Sequence, residues 1–335
     1  MRYPLPANSL VLVTGATGFT GRRLTESLIA DGHSVRVIAR PSPRADALKA
    51  LNCEVFEGQV YNADTVNAAM QGVHYVFHVA AAFREAGITD DIYHKVHVIS
   101  TQLLARAALG NPDFRRFIHV STMGVHGHIE NPPANEDSPY GPGDLYQNTK
   151  LEAELWIRDF APQHRLSLTV IRPAAIYGPG DRRLLKVFRM ARWPLFPVLG
   201  RGKCLYHLVH VEDLVDGMTL AATHPAAEQE VFLCGAETAI PLTEMAGIIA
   251  AVSGKTLRVL RIPATPFFWL ADLCEAVCKP LRIEPPLYRR RVAFYTKDRS
   301  FDTAKIRTRL GFTNRWPNRD GLEQTARWYQ EQGWL

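Results

Sequence analysis

The sequence is poor in cysteine and lacks any paired cysteine motif. It has 5 cysteines in 335 residues and no Cys-x-x-Cys, so neither a disulfide framework nor a zinc site is indicated. No apolar run reaches the length that crosses a bilayer, and residues 1–10 lack the apolar core of a signal peptide. We therefore expect a cytoplasmic protein, or one attached at most to a membrane surface.

The sequence also lacks the charge pattern of a nucleic-acid-binding protein. Its net charge of +6 comes from 39 basic and 33 acidic residues. The basic residues are dispersed along the sequence, and no zinc-finger, basic-zipper or RNP pattern accompanies them. It contains no low-complexity tract or internal repeat, as expected of an ordered globular chain. We expect no nucleic-acid partner, and a small anionic ligand fits the positive balance at least as well.

Short apolar runs alternate with amphipathic segments between Leu10 and Arg172. This alternation is typical of βαβ units that build a parallel sheet. The predicted strands span residues 10–13, 35–39, 54–57, 75–79, 116–120 and 167–171, and the predicted helices span 22–30, 63–70, 96–108 and 145–160. Six strands suffice for a doubly wound sheet with helices on both faces. Residues 209–222 and 231–234 indicate one further return to that sheet.

A glycine-rich turn follows the first predicted strand. Residues 14–21 read Thr-Gly-Ala-Thr-Gly-Phe-Thr-Gly and open the first helix, the context in which a glycine triplet binds a dinucleotide pyrophosphate. Gly15 permits the tight turn, Gly18 lets the backbone approach the pyrophosphate, and Gly21 lets the helix pack on the strand. Thr17 and Phe19 of this loop are predicted cofactor-binding residues as well.

The fold class predicted from these patterns is α/β, a Rossmann-type doubly wound parallel sheet with a smaller, mainly C-terminal α/β domain. Residues 1–176 are expected to form the dinucleotide-binding domain, with 205–235 returning to it. Residues 177–204 and 236–335 are richer in Pro, Trp and Arg and are expected to form the substrate-binding domain.

Arg40 directly follows the second predicted strand. An NAD site usually has an acidic residue here for the ribose 2′-hydroxyl, whereas an NADP site has an arginine for the 2′-phosphate. Arg40, with Arg44 nearby, therefore favours NADP(H) over NAD(H). The alternative is that Arg40 is only an exposed loop residue.

Tyr146 and Lys150 are four residues apart on a predicted helix, so their side chains share one face. A free tyrosine has a pKa near ~10, but a neighbouring ammonium group favours the phenolate that proton transfer requires. Ser121 and Thr122 add two hydroxyls at the carboxyl end of a predicted strand, where ligands bind in such sheets. The set predicts proton and hydride transfer; for Tyr146 and Lys150 alone, a solvated helix pair is the alternative.

These motifs together resemble the extended short-chain dehydrogenase/reductase superfamily, and the resemblance covers nearly the whole chain. It rests on residues 14–21, 78–81, 121–122, 146–150 and 172–180. It implies that Thr122 orients the substrate oxygen, that Tyr146 is the acid/base, and that Lys150 also holds the nicotinamide ribose. Further cofactor contacts that it implies involve Gln59, Val60, Ala80, Pro173 and Ile176. The resemblance makes a homodimer plausible.

Two positions depart from the superfamily pattern. Gln59 stands where an Asp near the adenine is usual, and its amide can still hydrogen-bond a base. His97 stands where an Asn of the proton relay is common. Because imidazole both donates and accepts, His97 is either a replacement relay or a residue with a purely structural hydrogen bond.

The sequence favours an apolar small-molecule substrate. Ala175 stands where nucleotide-sugar enzymes tend to have Asn, Phe83 and Met123 are apolar, and the C-terminal third resembles the 3β-hydroxysteroid dehydrogenase branch. We expect hydride transfer to a secondary alcohol or ketone on a steroid- or terpenoid-like skeleton. The alternatives are a sugar or nucleotide-sugar epimerase or reductase, and a catalytically silent cofactor-binding regulator, which would not need the intact Thr122, Tyr146 and Lys150.

One C-terminal segment has an apolar helical stripe, formed by Phe267, Leu270, Ala271, Cys274, Val277, Cys278 and Leu281. A basic flank follows it, with Lys279, Arg282 and residues 289–291. We expect the stripe to pack on the protein's own core. The alternative is peripheral membrane contact, or a lid over a lipid-like substrate.

Overall fold

The structure, a computed structural model, describes residues 4–82, 89–278, 285, 287, 292 and 298–335. The expectations for Phe83, Leu281 and the basic flank at 279, 282 and 289–291 lie outside these residues. None of the helices in the described ranges is long and apolar enough to cross a membrane.

A seven-stranded parallel sheet forms the centre of the described chain. Thirteen strands are described in all: β1 (Leu10–Thr14), β2 (Ser34–Ala39), β3 (Glu54–Glu57), β4 (Tyr75–His78), β5 (Arg116–Val120), β6 (Leu168–Pro173), β7 (Ala175–Tyr177), β8 (Phe196–Leu199), β9 (Leu205–Tyr206), β10 (Leu208–His210), β11 (Glu230–Cys234), β12 (Ile240–Pro241) and β13 (Val259–Ile262). The central sheet has the order β11-β6-β5-β4-β1-β2-β3, and all its neighbouring strands are parallel. The strand order reverses between β1 and β4, which is the doubly wound arrangement, so the predicted fold class is confirmed.

Helices cover both faces of this sheet, and others lie outside it. The described α-helices are α1 (Phe19–Ala30), α2 (Pro43–Lys49), α3 (Ala63–Met70), α4 (Asp90–His94), α5 (Ser100–Leu109), α6 (Leu145–Gln163), α7 (Leu185–Met190), α8 (Val211–Thr223), α9 (Leu242–Val252), α10 (Thr265–Cys278), α11 (Ala304–Leu310) and α12 (Asn318–Glu331). Side chains fix where two of them start, because Asn62 accepts from the Thr65 amide at α3 and Asp144 from the Gln147 amide at α6.

Two hydrophobic clusters lie on opposite faces of the sheet, because successive side chains of a strand point in opposite directions. Val11 and Val13 of β1 belong to the cluster under α1 and α8, whereas Leu12 belongs to the cluster under α3, α5 and α6. The apolar alternation in the sequence therefore corresponds to a sheet buried on both sides.

A third cluster joins α7, α9 and α12 to the short strands outside the main sheet. These strands pair as β7 with β10, β8 with β13, and β9 with β12. The cluster lies mostly in the segments expected to form the substrate-binding domain. The boundaries of the two domains stay a prediction.

Two predicted helices differ from the structure. The expected continuous helix over 96–108 is interrupted, because Lys95–Ile99 form a π-helical turn before α5. The stripe on α10 was expected to pack on the core, but of its members Leu270 and Val277 are 49% and 54% exposed and only Ala271 is buried. The expectation is wrong for Leu270 and Val277, which lie mostly in solvent, whereas Phe267, Cys274 and Cys278 are half-buried.

Candidate active site

The glycine-rich loop joins β1 to α1 and packs directly against backbone. Gly15 has a φ of +74°, and a Cβ there would lie 2.8 Å from the backbone of Ala80. A Cβ on Gly21 would lie 2.2 Å from the carbonyl oxygen of Gly15. Neither position has room for a side chain, so α1 starts close to the sheet with its first amides directed at the loop.

A chain of hydrogen bonds holds this loop to β4 and α5. The hydroxyl of Thr14 lies 2.8 Å from His78 Nδ1 and accepts from the Ala80 amide, and His78 Nε2 lies 3.0 Å from the Ser100 hydroxyl. Burial lowers the pKa of His78 to about 3. A neutral His78 therefore connects the loop to the strand beside it and to the helix behind it.

One cleft of about 2030 Å³ lies at the carboxyl ends of the central strands. All residues predicted for cofactor binding or catalysis line it: Gly15, Thr17, Gly18, Phe19, Gly21, Arg40, Gln59, Val60, Ala80, Thr122, Tyr146, Lys150, Pro173 and Ile176. The fold thus brings together residues from seven separate segments of the chain. Their individual roles stay predictions.

Lys150 is held at the end of β5. Its Nζ donates to the carbonyl oxygen of Val120 at 2.6 Å, and its side chain is buried. Burial lowers the pKa of Lys150 to about 8, against an opposing effect of the Glu154 carboxylate. One turn earlier on α6, Tyr146 is half-buried, and its ring packs edge-on against His97 at 5.4 Å between centroids.

The two hydroxyls after β5 have different partners. Ser121 Oγ donates to Glu154 Oε2 at 2.6 Å and is buried. Thr122 Oγ1 accepts from the Gly124 amide at 3.0 Å and is half-buried beside the cleft. Because that bond uses an acceptor position, the Thr122 hydroxyl proton can still be donated to a substrate oxygen.

A buried ion pair that the sequence analysis missed supports this corner. Arg172 Nη2 donates to Glu154 Oε1 at 2.6 Å, and both side chains are fully buried. Arg172 also donates to the hydroxyl of Tyr140 and lies 3.0 Å from His126 Nε2. Glu154 lies one turn after Lys150 on the same helix, a spacing that could have indicated a second inward-facing polar residue.

Both ring nitrogens of His97 are engaged. Nε2 accepts from the Ala82 amide at 3.0 Å, and Nδ1 lies 2.8 Å from the hydroxyl of Thr149. Since the Thr149 hydroxyl itself donates to a backbone carbonyl, it accepts from His97. Burial lowers the pKa of His97 to about 2. This geometry favours the structural interpretation of His97 over the relay.

Arg40 and Arg44 are exposed and lie at the end of the cleft that follows β2. Ser42 caps α2 between them by accepting from the Ala45 amide. In the ranges that the structure describes, neither guanidinium group has a carboxylate at ion-pair distance. The Gly58 amide donates to the carbonyl oxygen of Ala39, which brings Gln59 and Val60 to the same end.

Two further arginines that line the cleft were not predicted. The Arg183 guanidinium lies 5.4 Å from the centre of the Phe19 ring and donates to Asp181 Oδ1 at 2.8 Å. Arg182 lies 4.8 Å from the centre of the Trp334 ring. Both follow the Gly178-Pro-Gly-Asp run directly after β7, which was the available signal.

The cleft is also lined by aromatic side chains from distant parts of the chain. We call Phe268, Phe301, Trp328 and Trp334 the aromatic wall. Arg299 lines the cleft as well. They come from α10, from the segment before α11, from α12 and from the residues after it, so no local pattern indicates that they meet.

The fold and this site define a dinucleotide-binding α/β protein with a candidate acid/base centre. The family model for the NAD dependent epimerase/dehydratase family matches residues 11–235. The chain belongs to this family of nicotinamide-dependent enzymes, and the resemblance to the extended short-chain dehydrogenase/reductases is confirmed.

Similar proteins include enzymes with different substrates. The chain is 28% identical over 336 residues to the 3 beta-hydroxysteroid dehydrogenase/Delta 5-->4-isomerase of Mycobacterium tuberculosis, covering 95% of this chain and 90% of that protein. It is 31% identical over 261 residues to the UDP-glucose 4-epimerase of Mycolicibacterium smegmatis, covering 72% and 82%. The crystal structure of gox2253 superposes with a TM-score of 0.83 at 25% identity, covering 98% of this chain and 100% of that one.

Proposed function

We propose that the protein transfers a hydride reversibly between NADP(H) and a secondary alcohol or ketone on a hydrophobic, steroid- or terpenoid-like substrate. One observation carries this proposal: Thr122, Tyr146 and Lys150 line the same cleft as the aromatic wall. An apolar skeleton needs only its reacting oxygen anchored, and it gains roughly 25 cal/mol per Å² of apolar surface buried.

The three polar residues divide the proton chemistry between them. Bound nicotinamide would supply or accept the hydride. In reduction, the Tyr146 hydroxyl gives its proton to the substrate oxygen, and in oxidation the tyrosinate takes that proton back. Thr122 donates a hydrogen bond to the same oxygen. The Lys150 ammonium group, held on the Val120 carbonyl, stabilises the tyrosinate by its charge.

The proposed preference for NADP(H) rests on positive charge at the end of the cleft that follows β2, where the adenosine part of the cofactor would lie. Arg40 and Arg44 are exposed there, and a guanidinium group can hold a 2′-phosphate with charge-assisted hydrogen bonds. An acidic side chain in place of Arg40 would instead suit a free 2′-hydroxyl.

The second candidate function is epimerisation or reduction of a nucleotide sugar. Arg182 and Arg299 favour it, because both line the cleft and could pair with a second pyrophosphate. The exposed Ala175 favours the first candidate, since it offers no amide donor at the position where nucleotide-sugar enzymes tend to have one.

Calorimetry with NADP(H) present separates the two candidates. A 3-ketosteroid is expected to give a saturable heat, whereas a UDP-sugar at the same concentration is expected to give none. Saturable binding of the UDP-sugar, with none for any ketosteroid or terpenoid ketone tried, would replace the first candidate by the second.

Replacing Tyr146 by Phe tests the chemistry itself. The Tyr146→Phe variant loses one proton donor and little volume, so it should bind NADPH normally and lose about 10² to 10⁴ in turnover. Tyr75→Phe, on β4 and outside the cleft, is the matched control and should keep its activity. Near-normal turnover by Tyr146→Phe on an identified substrate would mean that another group transfers the proton.

A further inference from the structure

One side-chain contact joins two segments that line the cleft. The first segment is the glycine-rich loop with the start of α1, and the second is 179–184, which leads into α7. The Arg183 guanidinium lies 5.4 Å from the centre of the Phe19 ring, within cation–π distance. We call this contact the strap. The Arg183 side chain is 40% exposed whereas Gly21 of the loop is buried, so the strap lies on the solvent side of the loop.

The strap spans the carboxyl ends of two strands. In the central sheet, β1 and β6 are separated by β4 and β5, which puts their ends about 14 Å apart, three strand spacings of about 4.8 Å. Phe19 follows β1 in the chain, and Arg183 follows β6 and β7. Ala80, after β4, and Thr122, after β5, line the same cleft. The strap therefore bridges the region in which such folds bind a dinucleotide.

The Arg183 side of the strap is held by its own segment and by α12. The buried Asp181 accepts from the Arg183 amide and from Arg183 Nε at 2.8 Å. The hydroxyl of Tyr329 on α12 donates to the carbonyl oxygen of Asp181. Arg183 Nη2 donates to the carbonyl oxygen of Ile176 at 3.1 Å. None of these bonds reaches the glycine-rich loop, whereas the contact of Arg183 with Phe19 does.

The Phe19 side of the strap is the start of α1. Phe19 is the first residue of this helix, and within the described residues no side chain caps its N-terminus. The first amides of a helix without such a cap are open to an anionic ligand. Gly18, which precedes the helix, is exposed, and a Cβ on Gly21 would meet the Gly15 carbonyl oxygen. These features fit the pyrophosphate of a nicotinamide dinucleotide.

We propose that the strap closes the cofactor site and has to open whenever a nicotinamide dinucleotide enters or leaves. Arg183 then controls the exchange of the cofactor, a role separate from the proton transfer proposed for Tyr146. Because an exposed cation–π contact is weak, the closed form outweighs the open form only a few-fold. The inference rests on the glycine-rich loop as the cofactor site, and it depends on neither the substrate nor the preference for NADP(H).

Stopped-flow fluorescence tests the strap without substrate. The rate constants for association and dissociation are measured for NADPH and for NADH with the full chain. In Arg183→Ala both rate constants should rise roughly two- to five-fold, the factor that corresponds to an exposed cation–π contact. The dissociation constant should change little, because the strap closes the free and the loaded site alike.

Phe19→Leu tests the same contact without a change of charge. This variant should show the same rise in both rate constants as Arg183→Ala. The double variant should be no faster than either single variant, because each substitution removes the same contact. Lys186→Ala is the matched control: Lys186 is an exposed base three residues after Arg183 that does not line the cleft. It should exchange both nucleotides like the parent protein.

Unchanged rate constants in Arg183→Ala and Phe19→Leu would overturn the inference. So would faster dissociation with a proportionally weaker dissociation constant, because Arg183 would then only contact the bound cofactor. Additive effects in the double variant would also overturn it. If the parent protein bound neither nucleotide, the proposed function would fail together with the strap. Exchange as expected, but without turnover of any hydrophobic ketone, would contradict the proposed function and leave the strap standing.

Discussion

Replacing Lys150 by Met should change how the stability of the protein depends on pH. The buried Lys150 has a pKa of about 8, below the ordinary 10.5. Between these two pH values the unfolded chain retains the proton that the folded protein has released. The free energy of unfolding should therefore rise with pH, by up to ~1.4 kcal/mol per pH unit and by roughly 3 kcal/mol in all.

The Lys150→Met variant has similar volume and lacks this titration. Near pH 7 the burial of the ammonium ion costs the parent protein roughly 3 kcal/mol that the variant avoids. At pH 10.5 the folded parent protein holds Lys150 as a neutral amine, and its bond to the Val120 carbonyl contributes about 0.5 to 1.5 kcal/mol. The parent protein should therefore be more stable than the variant by about 1 kcal/mol at pH 10.5 and less stable by roughly 2 kcal/mol near pH 7.

Urea unfolding of the cofactor-free proteins between pH 7 and 10.5 measures this difference. Lys186→Met, which changes an exposed lysine of α7, is the control and should follow the parent curve. If the curves of the parent protein and Lys150→Met ran parallel over this range, Lys150 would not titrate there in the folded state, and the reasoning from its burial would be wrong.

Three further substitutions test the site. Arg40→Asp should reverse a preference for NADPH over NADH in fluorescence titrations, and equal dissociation constants in the parent protein would contradict that preference. Gly21→Ala should weaken cofactor binding and lower the unfolding temperature, because its methyl group would meet a carbonyl oxygen at 2.2 Å. The control Gly247→Ala, which has open space around its Cβ position, should change neither quantity. Glu154→Gln should cost about 3 to 5 kcal/mol in urea unfolding by leaving Arg172 buried without its counter-charge, and unchanged stability would show that the ion pair is dispensable.

Local sequence patterns were enough to predict the central sheet and the glycine-rich loop. Strands β3 and β5 have the predicted ends. The fully buried β5 contains a short apolar run, and in β3 the half-buried Val55 and Phe56 lie between exposed glutamates, so the local pattern marks both strands. The glycines at 15 and 21 were predictable for a similar reason. Only glycine fits where backbone meets backbone, and the position after a first strand is visible in the sequence.

Local patterns did not predict which partners the polar groups at the cleft are hydrogen-bonded to. Ser121 and Thr122 are adjacent in the sequence and both line the cleft. The Ser121 hydroxyl is bound to Glu154, 33 residues away, whereas Thr122 Oγ1 accepts from the nearby Gly124 amide. The bonds of His97 to Ala82 and Thr149 likewise join distant segments. Hydrogen-bond partners depend on which groups the fold places opposite a side chain, and the periodicity of the sequence does not predict those groups.

The same limit of local sequence patterns explains why the prediction for the apolar stripe of α10 was wrong. The apolar stripe of this helix was visible, but periodicity cannot say whether an apolar face meets the protein's own core or something outside it. The small Ala271 lets α10 approach the protein with Phe268 and Glu275 toward the cleft, and this turns Trp269 and Leu273 outward. Which face a helix buries is decided by the surface that the rest of the chain presents to it, and here that surface is a cleft built from segments far apart in the sequence.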